Sequence, residues 1–376
     1  MINCGVIGWG NTGGQIAALV KERLNIPAMV LNTSEADISS IKTDVVKVVF
    51  GDGNGSGKNR SEAKEFLKGS LNLILGGETI QKFVKGMQIV FVISSTGGGT
   101  GSGTAPVFTA IMQEASASTY FIPIGVLPSI SESKSAQENT LEYLKEIYSM
   151  DGLTYMLYDN EKYSHLPSHE CLMAVNEEVV ADIEVIRGAY NKSTPYESMD
   201  PADAMTLITT TGRLAVARVT NISERDLDDT TIGKKVITAF KRGAHADLQR
   251  DKKVARLGVI SNLSETVNAM HDPHITEVQE TFIGTPDEDF PHVYVNSEDV
   301  EPNNVYVIAS GLSMIDDRIE RIKDRISQVD NSHSGKEGAS ALDDIDTEKL
   351  NSWKSKKKKK ADGNVNVADI MSKFMK

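Results

Sequence analysis

The chain has 376 residues, 40% of them apolar and 24% charged, with a formal net charge of −12. That composition excludes a disordered, collagenous or disulfide-stapled chain, and the length allows two domains with extensions. No apolar run approaches the roughly 18 residues that a membrane span needs, and the opening stretch lacks the pattern of a secretory leader.

In chain order, "INCGVIG" reads as a buried strand and "GGQIAALVKERL" as a helix. "PAMVLNT" is a second strand, "EAKEFLKGSLNLIL" a helix and "QIVFVIS" a third strand. "YFIPIGVLP" follows as a fourth, then the amphipathic helix "SAQENTLEYLKEIY" and the strand "LTYMLYDN". Buried strands alternating with helices predict a parallel sheet covered on both faces. Right-handed crossovers place every strand-to-helix loop on one edge, where ligands bind.

From about Leu172 the pattern changes. "CLMAVNEEVVADIEVIRGAYNK" is a long helix, apolar around much of its circumference, as expected of a helix packed between two domains. The strand-like runs "RLAVARVTN", "VARLGVISN", "HVYVNS" and "NNVYVIASGL", with the helix "TTIGKKVITAFKRG", predict an α+β second domain. Ile315, Ile319, Ile322 and Ile326 then line one face of a further helix.

Past residue 330 the large apolar residues thin out, as in a linker. Residues 354–376 carry eight lysines against two aspartates, a net +6, so the rest of the chain carries −18. A basic tail on an acidic body reads either as a contact arm for an acidic partner or as a solubilising extension. Its last residues place Val367, Ile370, Met371 and Phe374 on one stripe. Two helical turns are unstable alone in water, so the stripe is expected to dock in a groove, on a partner or on its own domain. The two cysteines, Cys4 and Cys171, offer neither a disulfide framework nor metal-ligand spacing, and a reducing cytoplasm is expected.

The densest motif is "STGGGTGSGTAP", which sits between a buried strand and a helix start. Glycines so placed let the backbone approach a ligand, and free N–H groups at a helix start cradle phosphate. Two simpler nucleotide motifs compete. "GWGNTG" matches G-x-G-x-x-G at Gly8, Gly10 and Gly13, but the second strand ends in Asn32 rather than the acid a dinucleotide ribose needs; this keeps an NAD(P)-dependent oxidoreductase as an alternative. "GDGNGSGKN" fails as a Walker loop: Asp52 stands where glycine is required and Asn59 where Ser or Thr would bind Mg²⁺.

Taken together, "GWGNTGGQ", "GDGNGSGKNR" and the run Gly97, Gly98, Gly99, Thr100, Gly101, Ser102, Gly103 resemble the tubulin/FtsZ GTPases. The likeness runs from the first strand to the helix ending near Val329 and resembles divergent plasmid- or phage-borne members of the TubZ and PhuZ groups. It implies a Rossmann-like parallel-sheet GTPase domain over residues 1–171 and a central helix over 172–197. It further implies an α+β domain with a catalytic loop over 198–312, a helix over 313–330, and a flexible linker with basic tail over 331–376.

The same resemblance implies GTP or GDP with Mg²⁺ as ligand. Asn11, Thr12, Gly13, Gly14 and Gln15 fall on the first phosphate loop, and Gly97 to Gly103 on the signature loop. Glu132 falls where a family glutamate reaches the ribose, although Ala136 replaces the arginine expected four residues on. Asn160 and Asn176 match the two guanine-reading positions, where an amide supplies both a donor and an acceptor.

"SMDPAD" is similar to the family's N-x-D-x-x-D/E loop, with Ser198 in place of Asn and the carboxylates at Asp200 and Asp203. Asp before Pro also caps helices, so a purely structural role competes at Asp200. In the family this loop lies far from its own nucleotide and serves the next subunit. The implied activity is GTP hydrolysis on head-to-tail polymerisation, for segregating plasmid or phage DNA; a structural filament with little hydrolysis is the second reading. The partners implied are other copies of the chain, and a DNA-binding adaptor or neighbouring subunit through the lysine-rich tail, with no specific nucleic-acid binding by the chain itself.

Overall fold

The structure, a computed structural model, describes residues 1–74, 78–116, 118–189, 192–193, 198–227, 230–246, 254–264, 267, 277–278, 292–296, 301–334 and 367–374. It divides into two compact units. One comprises residues 4–153, 159–164 and 316–376, the other residues 1–3, 154–158 and 165–315.

The first unit opens with β1 (Cys4–Trp9), a fully buried strand that runs into α1 (Gly10–Leu24) without a connecting residue. Gly10, with φ +70°, makes that reversal, a backbone region nearly closed to L side chains. There follow β2 (Ala28–Asn32), α2 (Glu35–Ser40) and β3 (Val46–Val49), then the helices α3 (Arg60–Gly69), α4 (Leu71–Ile74) and α5 (Glu78–Val84). β4 (Ile89–Ser95), α6 (Thr100–Ala115), β5 (Tyr120–Leu127) and α7 (Lys134–Tyr148) complete the alternation. The strands lie in the order β5-β4-β1-β2-β3, every pair parallel.

Two details differ from the sequence reading. β3 went unread because it is an edge strand whose Val46 and Val49 are exposed, and it brackets the 51–59 glycine loop between a strand and a helix. The segment read as one helix from "EAKEFLKG" onward is two, broken at Ser70, whose N–H bonds back to Phe66 and Leu67. Trp9 anchors the core, edge-on to Phe50 at 5.6 Å between ring centroids and tilted against Phe108 at 5.1 Å. Such ring pairs contribute about 0.5–1.5 kcal/mol each beyond their buried area.

The second unit takes most of β6 (Thr154–Asp159), then α8 (Ser168–Gly188), the short pair β7 (Lys192–Ser193) and β8 (Ser198–Met199), and α9 (Pro201–Ile208). β9 (Gly212–Val219), α10 (Ile232–Arg242), β10 (Arg256–Asn262), β11 (His292–Asn296) and β12 (Asn304–Leu312) follow, in the mixed sheet order β11-β10-β12-β9-β6. α8 buries Val175, Val179, Ile183 and Ile186. It also buries Asp182, which takes Arg218 Nε at 2.9 Å and the Tyr158 hydroxyl at 2.8 Å. Burial, then the adjacent Asp182 charge, pushes the Tyr158 hydroxyl well above the usual phenol range, so it stays a donor.

The chain then returns to the first unit with α11 (Asp316–Ser334), whose Ile319, Ile322 and Ile326 are buried. α12 (Val367–Phe374) ends the described residues, and the lysine run lies outside them. The stripe does not await a partner here. Ile370, Met371 and Phe374 are buried in the same cluster as Phe108, Ile111 and Met112 of α6, and Lys64 Nζ donates to the Phe374 carbonyl. Docking on the chain's own domain supplies the apolar surface that two lone turns lack.

Candidate functional site

Helices normally satisfy their first N–H groups with a side-chain cap. Ser34, Asn59, Ser133, Asp200 and Thr231 do this for α2, α3, α7, α9 and α10. α1 and α6 do not: their N-cap residues, Trp9 and Gly99, give no side-chain bond, and neither first turn holds an acid. Both are long, so each presents a partial positive charge on unpaired amides. The two ends adjoin, since a Cβ on Gly10 would stand 3.0 Å from the Gly101 amide nitrogen. Two adjoining uncapped N-termini offer the kind of free amide donors that anions bind.

The 51–59 loop closes on this pair. A Cβ on Gly99 would stand 2.4 Å from Ser56 Oγ and 2.8 Å from the Asn59 nitrogen, so only glycine fits without moving that loop. Thr100 Oγ1 meets Thr33 Oγ1 at 2.6 Å and Ser56 Oγ at 3.1 Å, a buried cluster of three hydroxyls. Lys58 holds φ +63°, a left-handed conformation uncommon outside glycine, and its side chain is exposed. Asp52 is held below the usual carboxylate range by the Asn54 backbone N–H and then its side-chain amide, so the loop carries an ionised carboxylate.

Pro106 lies inside α6 and has no N–H for the carbonyl four residues back, that of Ser102. Arg60 fills the gap: Nη1 donates to the Ser102 carbonyl at 2.6 Å, while Nη2 pairs with Glu146 at 2.5 Å. Glu146 also takes Lys64 at 2.6 Å. A proline that disrupts the helix ladder thus recruits an arginine from α3 and ties the signature helix to α3 and α7.

The sequence-derived residues divide by environment. Asn11 and Gln15 are exposed on the first turns of α1 and Thr12 is half-buried. Gly13 and Gly14 are buried, and a Cβ on Gly13 would stand 2.1 Å from the Ile93 carbonyl oxygen, so Gly13 serves helix-to-sheet contact. Gly97, Gly98, Gly99, Thr100, Gly101, Ser102 and Gly103 form the turn and first residues of α6. Glu132 is exposed and takes the Ser129 N–H at 3.1 Å within its own loop. Asn160 is buried at the start of a 3₁₀ turn, in the first unit. Asn176 lies half-buried on α8, in the second.

Asp200 and Asp203 also lie in the second unit and differ from each other. Asp200 Oδ1 accepts from the N–H groups of Ala202 at 2.7 Å and Asp203 at 2.8 Å, with Pro201 in the first turn. It is a helix cap. Asp203 is exposed and its carboxylate has no recorded partner among the described residues.

Several positioning residues escaped the sequence reading. Arg318, fully buried on α11, donates Nε to Asp159 Oδ2 at 2.6 Å, Nη2 to Asp159 Oδ1 at 3.0 Å and Nη2 to the Pro128 carbonyl at 2.6 Å. Glu161 takes the Ser129 hydroxyl and the Ile130 N–H, both at 2.9 Å. These bonds join the loop bearing Glu132 to the turn bearing Asn160. Arg318 was hidden by its setting, a charged residue on a helix whose apolar stripe is made of isoleucines.

Residues 3–166 match the family model described as "Tubulin/FtsZ family, GTPase domain". That segment belongs to the tubulin/FtsZ superfamily. Tubulin-like protein CetZ2 of Haloferax volcanii is 26% identical over 201 residues, covering 49% of this chain and 53% of that protein. The chain thus spans about half the length of the curated relative it matches. Among solved structures, a GTPγS-form protofilament of TubZ from Bacillus thuringiensis serovar israelensis superposes with TM-score 0.71 at 17% identity, over 88% of this chain and 93% of that one. TubZ of Clostridium botulinum phage c-st, truncated at its C-terminal tail, gives 0.67 at 18%, over 86% and 96%. At such identities the likeness is one of fold. The matched segment contains all three glycine loops.

Among the described residues no helix is long and apolar enough to cross a membrane, and no group of His, Cys, Asp and Glu could hold a metal.

Proposed function

We propose that this chain binds GTP at the joined ends of α1 and α6 and hydrolyses it as copies assemble head to tail. The observation that carries the reading is the pair of adjoining, uncapped helix N-termini inside the segment matching the GTPase-domain model. In this reading the amides of Gly98, Gly99, Thr100 and Gly101 take the phosphates, with Asn11, Thr12 and Gln15 alongside. Glu132 serves the ribose, and Asn160 and Asn176 the guanine. The Thr33, Ser56 and Thr100 hydroxyls, with no acidic cluster among the described residues, suit a Mg²⁺ that arrives on the nucleotide rather than one caged by protein. Bound there, Mg²⁺ would offset charge on the phosphates.

Asp203 supplies the carboxylate that orients the attacking water, acting on the nucleotide of the next subunit. Asp200 holds the start of α9 so that Asp203 projects from it. Support for assembly comes from the TubZ neighbour, whose structure is a protofilament. The phage origin of another neighbour supports DNA positioning as the role, with the lysine run as the contact for a DNA-bound adaptor. The action is placed in the reducing cytoplasm, which suits two buried free thiols, Cys4 and Cys171. One observation favours a filament with slow hydrolysis instead: Asp200 is already engaged as a cap, leaving one free carboxylate.

Negative-stain microscopy with GTP and with a non-hydrolysable analogue, alongside phosphate release, tests the proposal. Filaments with both nucleotides, and release per subunit that rises with protein concentration, are expected. Filaments without release select the slow reading. Failure to bind GTP removes both.

A further inference from the structure

The geometry points to Asn139 as the residue that holds the phosphate loops in their binding shape, an inference that rests on the nucleotide site proposed above. Asn139 lies on α7, outside the three glycine loops. Its side-chain amide donates to the Gly97 carbonyl at 3.2 Å, the Gly98 carbonyl at 3.0 Å and the Lys58 carbonyl at 3.0 Å. One NH₂ has two protons for three acceptors, so at least one bond is shared.

Two features let a single side chain reach all three. Ala136, one turn earlier, brings α7 close enough that a Cβ on Gly97 would stand 3.1 Å from its Cβ. A long side chain at 136 would keep the helix off the loop. Lys58 adopts its left-handed conformation, which aims its carbonyl at the same amide. The Asn139 backbone carbonyl in turn takes Arg60 Nη1 at 3.3 Å, so both ends of the residue are fixed.

The consequence follows from peptide geometry. Each peptide unit carries its C=O and N–H on opposite sides, so drawing the Gly97 and Gly98 carbonyls to α7 turns the following amides, those of Gly98 and Gly99, the other way. Those amides, with Thr100 and Gly101, have no recorded hydrogen-bond acceptor among the described residues. Asn139 thereby pre-orients donors for phosphate without touching it, and fastens the 51–59 loop to the signature loop. It is a positioning residue. Preorganised donors bind better because their ordering cost is met before the ligand arrives.

The test uses the full chain with Asn139→Ala, which removes the amide, and Asn139→Gln, which keeps it one methylene further out. Two or three lost hydrogen bonds should weaken GTP and GDP binding by about 10- to 100-fold in Asn139→Ala, with partial recovery in Asn139→Gln. The melting temperature without nucleotide should fall only by the few degrees that two or three lost hydrogen bonds cost, while amide exchange at residues 97–102 and 56–59 should quicken. Unchanged nucleotide affinity in Asn139→Ala overturns the inference. So does a lowered melting temperature with unchanged affinity in the folded protein, the signature of a purely structural residue. A wild-type chain that binds neither nucleotide overturns the site reading and this inference together, whereas a binding wild type with indifferent variants overturns the inference alone.

Discussion

Arg318 offers the sharpest energetic test of how the loops bearing Glu132 and Asn160 are held. Its guanidinium and the Asp159 carboxylate are 0% and 2% exposed, joined by two hydrogen bonds, and Nη2 also satisfies the Pro128 carbonyl. Replacing Arg318 with Met keeps the volume of the stem but strands a buried carboxylate and a buried carbonyl. Breaking one side of such a pair costs about 3–5 kcal/mol, because the remaining charge has lost both water and partner. Among the described residues Asp159 then keeps the Glu161 N–H at 3.0 Å, too little to offset that loss. Urea unfolding followed by tryptophan fluorescence should show the change, since Trp9 lies in the core of the same unit. In Arg318→Met/Asp159→Asn no charge is stranded, and about 1–3 kcal/mol should return through the coupling of directly bonded residues. Equal losses in the single and double variants would refute the reasoning, because the cost would then come from packing rather than from an orphaned charge. GTP affinity should fall along with stability, since the pair joins the strand end before Asn160 to the loop before Glu132.

Gly99→Ala should force the 51–59 loop away, costing about 1–3 kcal/mol and weakening GTP binding, whereas Gly98→Ala, whose Cβ would meet no protein atom within 4 Å, should unfold like wild type; urea titration with and without GTP separates them. Asp203→Ala should leave unfolding unchanged but slow phosphate release about 10²- to 10⁴-fold. Asp200→Ala should cost about 1 kcal/mol through the lost cap and slow release only through α9; a fully active Asp203→Ala would remove the assigned role. Phe374→Ala should destabilise the docked α12 by about 3 kcal/mol, because the ring leaves the apolar cluster on α6, and faster proteolysis of the C-terminus should report it.

The parallel sheet of the first unit was legible because buried strands such as β1 and β4 read as unbroken apolar runs bounded by glycine. The glycine loops were legible for a related reason: Gly10 needs a left-handed backbone, and Gly99 leaves no room for a Cβ. What stayed hidden was held by long-range polar bonds. Asn139 is separated from Lys58 by 81 positions and Arg318 from Asp159 by 159, and no local period marks either. Arg60 is the instructive intermediate. Pro106 announces an orphaned carbonyl at Ser102, but only the fold reveals which donor arrives.

The tail stripe shows why an amphipathic pattern and its receptor are different kinds of information. Spacing fixes that Ile370, Met371 and Phe374 share a face, because helical geometry is local. The surface receiving them is assembled from Phe108, Ile111 and Met112 on α6, more than 250 residues earlier, with Lys64 of α3 on the last carbonyl. No single stretch of that receptor carries a docking signature; each residue reads as ordinary core. A partner that recognises the same stripe must therefore displace an interaction the chain already makes, and its net affinity is the difference between the two. The lysine run is separated from α12 by six residues in sequence, so charge attraction can act on a partner while the stripe stays docked. Salt should accordingly weaken capture by the lysines, whereas removing the Phe374 side chain should strengthen any binding that needs the stripe's other apolar residues.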